Sequence, residues 1–193
     1  MKNKRIKAII FDMVGVLLFV KKNYFPVTEN EINALNIEKL YNHTDDKKLL
    51  TDIKNNLNLD KISLEKALEC IPKKFEKYDA LWKLLPDLKK NYDLAIINNG
   101  NALAMKYWHK YFDYSVFNFF INSAEERIKK PDPKIYLLTC QKLGVSPKEC
   151  LFMDDTFENV ETAKALGMTT VWWSKDNSEE ENLAQFLELI DYK

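Results

Sequence analysis

Residues 8–12 read A-I-I-F-D, four apolar side chains in a row closed by a carboxylate. A continuous apolar run of that length suits a strand covered on both faces, as in a parallel sheet. Four later segments share its character: Leu94 to Ile97 (L-A-I-I), Val116 to Ile121 (V-F-N-F-F-I), Cys150 to Met153 (C-L-F-M) and Thr169 to Trp173 (T-T-V-W-W). Helix-like stretches separate them, at Ala102 to Tyr111, Pro133 to Leu143 and Asn159 to Leu166. Gly144 and Gly167 stand just past two of these, where a helix end favours glycine. Strands alternating with helices predict an α/β domain with a mostly parallel sheet.

The alternation breaks between about Asn23 and Pro86. There the apolar spacing is helical, as in Ile32, Leu35, Ile37, Leu40 and again in Leu49, Ile53, Leu57, with no apolar strand. This predicts four helices packed on one another as an insertion over 21–86, dividing a core made of 1–20 and 87–193. Glu179 to Tyr192 reads as a closing amphipathic helix, and Trp172-Trp173 as strand core plus its edge.

Composition fits an ordinary globular protein: 193 residues, 46% hydrophobic and 30% charged. Its 29 basic and 29 acidic residues cancel, which gives no bulk attraction to nucleic acid or to an acidic membrane. Cys70, Cys140 and Cys150 are odd in number and unpaired in spacing, so a reducing, cytoplasmic setting with thiols as small core residues is expected. His43 and His109 are too far apart in sequence to suggest a metal site. The basic start, Met1 to Lys7, precedes an apolar run too short for a signal peptide, and no stretch of about twenty apolar residues suggests a membrane span.

In an open parallel sheet, ligands gather at the carboxyl ends of the strands. Asp12 stands after the first strand, Asn98-Asn99-Gly100-Asn101 after the second, and Asp154-Asp155 after the fourth, while Lys130 lies downstream of the third. These groups would converge as three carboxylates, one ammonium and several amide donors. Such a set suits a dianionic phosphate ester. A carboxylate attacking phosphorus needs relief from charge repulsion, which a carboxylate-bound Mg²⁺ gives. A lysine and amide donors neutralise the charge that shifts in the transition state.

Four segments resemble, in order and spacing, the four motifs of haloacid dehalogenase-like hydrolases. The most specific are M-D-D-T-F-E-N-V-E-T-A-K-A-L-G-M at 153–168 and K-P-D-P-K-I-Y at 130–136. The resemblance implies a Rossmann-like three-layer sandwich with a mostly parallel sheet of five or six strands, and a helical-bundle cap between motifs one and two. It implies Asp12 as nucleophile, the backbone carbonyl of Val14 as a metal ligand, and Asp154 and Asp155 as metal ligands with Asp12. Asn98 and Asn99 would meet the phosphate, and Lys130 would orient nucleophile and phosphate. The implied cofactor is Mg²⁺ and the implied partner a small phosphorylated metabolite, handled by a monomer or homodimer.

One position departs from the pattern. Phosphatases of this family usually carry a second Asp two residues after the nucleophile, which protonates the leaving oxygen; here Val14 stands there. General acid–base help is worth about 10²–10⁴-fold. A good leaving group, a proton donor from the cap, or a ligand-binding or regulatory role would each accommodate that loss. A 2-haloacid dehalogenase is the alternative enzyme: Asn99-Gly100 suits it, whereas the acidic pair Asp154-Asp155 argues for metal and phosphate. A phosphonate-cleaving enzyme, with a Schiff-base lysine from the cap, is a further option. Lys21, Lys22 and Tyr24 are expected to line the entrance, from their closeness to the first motif.

Overall fold

The computed structural model describes residues 6–41 and 44–190; Met1 to Arg5 of the basic start, His43, and Tyr192 at the expected end of the tail helix lie outside them. In chain order, β1 (Ala8–Phe11) and β2 (Leu18–Val20) precede three helices, α1 (Glu29–Leu40), α2 (Asp46–Leu57) and α3 (Lys61–Lys73). Next come β3 (Phe75–Lys77), α4 (Asp79–Leu88), β4 (Asp93–Asn98), α5 (Met105–Tyr111), β5 (Phe119–Asn122) and α6 (Ser123–Glu126). The chain closes with α7 (Pro133–Leu143), β6 (Cys150–Asp154), α8 (Phe157–Ala165), β7 (Thr169–Trp172) and α9 (Glu179–Leu189).

Five strands pair in parallel in the order β5-β4-β1-β6-β7, so the A-I-I-F run forms the central strand. Successive side chains of a strand point to opposite faces. Ile9 and Phe11 accordingly join Leu94, Leu151 and Phe186 on one face, while Ala8 and Ile10 join Ala95, Phe152 and Tyr136 on the other. α4 and α9 cover the first face and α7 and α8 the second, which makes the Rossmann-like three-layer sandwich expected. Each fully buried Ile or Phe of β1 contributes roughly 1.5–3 kcal/mol, which anchors the residue that follows the strand.

Four local expectations change. β5 begins at Phe119, not Val116, because the chain turns at Tyr114–Phe117 and Phe117 packs against Phe11 instead of pairing. α5 begins at Met105, three residues late, because the Asn101 side chain accepts from the Ala104 amide and holds the preceding loop. Within the insertion, F-E-K at 75–77 is a strand after all, antiparallel to β2 with Val20 opposite Phe75. α1 packs on α2 and α3, but α4 returns to the sheet: the Trp82 indole donates to the Leu17 carbonyl at 2.7 Å and its ring meets Tyr114 and Phe117.

Other expectations stand as read. Gly144 and Gly167 take positive φ just past α7 and α8. Trp173 is buried and Trp172 lies exposed on the edge strand. No helix among the described residues is long and apolar enough to cross a membrane.

Candidate active site

The parallel register sets Phe11 beside Met153 and Ile96, so the residues leaving the carboxyl ends of β1, β4 and β6 are neighbours. There the Lys130 ammonium donates to Asp12 Oδ1 at 2.6 Å and to Asp154 Oδ2 at 2.7 Å. Lys130 is 2% exposed and Asp12 8% exposed, so the cluster is largely withdrawn from water. Burial works against the charge on Lys130, but Asp12 and Asp154 outweigh it and hold its pKa above the ordinary value. Burial pushes the Asp12 carboxyl up to about 7; Lys130 opposes that rise and Asp154 adds to it. Asp154 is held further by the Thr156 amide at 2.8 Å and by the Asn159 amide group, 3.0 and 3.1 Å from its two oxygens.

Asp155 sits at the rim, paired with Lys175 at 3.0 Å. It fits against the first loop because residue 15 is glycine. Gly15 has φ +100, and a Cβ there would lie 2.6 Å from the Asp155 carboxyl carbon. In the same turn the Gly15 amide bonds the Leu18 carbonyl and the Leu18 amide bonds the Met13 carbonyl. The carbonyl of Val14 between them accepts no hydrogen bond among the described residues.

The asparagines at the carboxyl end of β4 divide their work. The Asn99 side chain donates to the Lys130 carbonyl and accepts from the Lys130 amide, both at 2.9 Å, and so fixes the segment that carries the lysine. Asn98 is 6% exposed, and its side-chain amide has no hydrogen-bond partner among the described residues. The Gly100 amide bonds the Ser123 hydroxyl at 3.1 Å, which also meets the Tyr41 hydroxyl at 3.1 Å. Nearby, Asn122 Oδ1 is buried with no hydrogen-bond partner among the described residues.

Asp12, Val14, Asn98, Asn99, Lys130 and Asp155 all line one cavity of about 390 Å³. Glu38, Tyr41, Ile71 and Phe75 of the inserted segment and Trp108 of α5 line the same cavity. Lys21, Lys22 and Tyr24 take no part in the lining, and the Lys21 ammonium instead bonds the Lys73 carbonyl. His109 lies against Tyr114 and Phe120, away from the cluster. Sequence reasoning passed over Asn159, Ser123, Gly15 and Glu38. Only Asn159 left a signal, standing five residues past Asp154 at the start of α8.

Carboxylate oxygens of Asp12, Asp154 and Asp155 lie within 4.8 Å of one another. Three carboxylates around one ammonium leave excess negative charge, and an all-oxygen donor set with a free carbonyl beside it fits a hard divalent cation such as Mg²⁺.

The profile of the haloacid dehalogenase-like hydrolases matches residues 6–167. The chain is 25% identical to the enolase-phosphatase E1 of Persephonella marina over 86% of its own length and 87% of that protein. It is 30% identical to the (S)-2-haloacid dehalogenase 4A of Burkholderia cepacia, over 58% of its length and about half (49%) of that enzyme. A haloacid dehalogenase family enzyme of Bacteroides thetaiotaomicron, solved with magnesium and inorganic phosphate, superposes with a TM-score of 0.70 at 22% identity, covering 86% of this chain and 93% of that one. With the motifs in register, the sheet order and a profile match across most of its length, the chain belongs to the haloacid dehalogenase-like hydrolases.

Proposed function

We propose that the chain is a Mg²⁺-dependent phosphomonoester phosphatase acting on a small phosphorylated metabolite through a phosphoryl group carried on Asp12. The observation that carries this reading is the buried Lys130 ammonium bridging Asp12 and Asp154, with Asp155 beside them. A cation held by Asp12, Asp154, Asp155 and the Val14 carbonyl would neutralise phosphate charge and leave Asp12 ionised at neutral pH. Asp12 then attacks phosphorus, the bond to the leaving oxygen breaks, and an acyl phosphate forms. Lys130 holds the nucleophile in place, and the unpartnered Asn98 amide donates to a phosphate oxygen. Water attacks the same phosphorus, releasing inorganic phosphate and restoring the carboxylate. Asn99 contributes by fixing Lys130. The inserted segment, 21–86 with α1–α3 as its packed part, serves as the cap that closes the cavity against water.

The named relatives support this reading: one is a phosphatase, and the Bacteroides structure holds magnesium and phosphate. Likeness to a 2-haloacid dehalogenase favours a second reading, in which Asp12 attacks carbon and displaces halide. The acidic cluster weighs against it, since that chemistry has no use for three converging carboxylates. Phosphate release from a panel of phosphomonoesters with Mg²⁺ or EDTA, against Asp12→Asn, decides between them. Release that needs both Mg²⁺ and Asp12 supports the phosphatase; halide release from 2-haloacids without metal replaces it.

A further inference from the structure

We propose that Glu38, on the last turn of α1, supplies the proton that the loop after Asp12 cannot. This inference rests on the phosphatase reading above. When the phosphorus–oxygen bond of an alkyl phosphate breaks, both electrons leave with the oxygen, and an alkoxide is a poor leaving group unless a proton reaches it. The residues following the nucleophile are Met13, Val14 and Gly15, none of which carries one.

The titratable groups lining the cavity are Asp12, Glu38, Tyr41, Lys130 and Asp155. Asp12 is the nucleophile, Lys130 is engaged by two carboxylates, and Asp155 belongs to the cation cluster. Glu38 and Tyr41 remain, both on the cap wall. The Tyr41 hydroxyl is bonded to Ser123, and burial holds it above the ordinary phenol value, so it is a weak acid. Glu38 is better suited. Its Oε2 meets the Lys74 ammonium at 2.5 Å, and Oε1 makes no hydrogen bond among the described residues. Burial raises its pKa, with Lys74 opposing, which keeps a carboxylic acid available nearer neutrality than a solvated one.

The cycle balances. Protonated Glu38 gives its proton to the leaving oxygen as Asp12 takes the phosphoryl group, and Lys74 stabilises the carboxylate that results. That carboxylate accepts a proton from the water attacking the acyl phosphate. The bond from phosphorus to Asp12 breaks, inorganic phosphate leaves, and Glu38 is again an acid. The net reaction is ester plus water to alcohol plus phosphate.

The test is the dependence of kcat/KM on leaving group, because kcat/KM reports formation of the acyl phosphate while its hydrolysis is common to every substrate. Acetyl phosphate, para-nitrophenyl phosphate, phenyl phosphate and ethyl phosphate are compared at saturating Mg²⁺ for the wild type, Glu38→Gln and Tyr41→Phe. The expected result is a loss in kcat/KM of about 10²-fold or more for Glu38→Gln on ethyl phosphate, shrinking steadily toward acetyl phosphate. Tyr41→Phe is expected to show no such gradient. A loss in kcat/KM that is equal across the series overturns the proposal, as does a gradient in Tyr41→Phe instead. The wild-type profile is a check that needs no variant: a steep fall in kcat/KM from acetyl to ethyl phosphate means that no donor operates. Asp12-dependent turnover with either of these failures leaves the phosphatase reading standing, whereas no Asp12-dependent release from any of the four removes both.

Discussion

Asp12→Asn in the metal-free protein tests the electrostatics of the cluster directly. The folded Asp12 carboxyl lies at about 7 against an ordinary value of 3.8, because burial outweighs its bond to Lys130. A carboxyl whose value is raised on folding binds its proton more tightly in the folded state. Its ionisation therefore removes stability progressively as pH climbs from about 4 to about 7. A gap of about 3 between the two values corresponds to about 4 kcal/mol at pH 8 and about 1 kcal/mol at pH 4.5. Asparagine keeps the shape without the charge, and Lys130 retains Asp154 at 2.7 Å. In EDTA, urea unfolding is expected to find the variant within about 1 kcal/mol of wild type at pH 4.5 and about 2–4 kcal/mol more stable at pH 8. Mg²⁺ binding to the wild type should then narrow the difference by mass action. A wild type at least as stable as the variant at pH 8, or a difference that does not grow with pH, would refute the picture of a penalised buried carboxylate.

Lys130→Met leaves Asp12 and Asp154 buried without their cation; thermal melts at neutral pH should show a loss of about 3–5 kcal/mol, and phosphate release should vanish. Gly15→Ala forces Asp155 away and strains the turn, so about 1–3 kcal/mol of stability and roughly tenfold or more in Mg²⁺ affinity should be lost by calorimetry; unchanged affinity would separate Asp155 from the cation. Mg²⁺ affinity should strengthen as pH rises through about 7, because Asp12 must give up its proton, and calorimetry in two buffers at pH 6 should count about one proton released per ion.

The layers were legible because the three central strands, β4, β1 and β6, each carry an unbroken apolar run, and such a run admits few alternatives to a parallel strand. The cluster was legible because a carboxylate or amide closes three of those runs, at Asp12, Asn98 and Asp154. What stayed hidden depends on contacts distant in sequence. The short strand β3 has no apolar alternation and exists because it pairs with β2. α4 shows the same helical spacing as α1–α3, yet its Trp82 finds Leu17 and Phe117 rather than the inserted helices. Asn99 reads as a phosphate donor from its place after β4, and only the folded loop shows both ends of its amide bound to Lys130. The role of Gly15 required knowing where Asp155 lands.

The pairing of β2 with β3 bears on how the helical segment came to sit inside the core. Val20 and Phe75 face each other across an antiparallel pair, where opposing Cα atoms lie about 4.5–5.5 Å apart. Everything between them, 21–74, leaves and re-enters the core through one doorway no wider than a hairpin. A two-residue Asn-Gly turn spans that gap, so the whole segment is exchangeable for a reverse turn without altering a single strand of the central sheet. The sheet thus carries a graft point just after its central strand, where a segment of another length or shape can be inserted with the strand order kept.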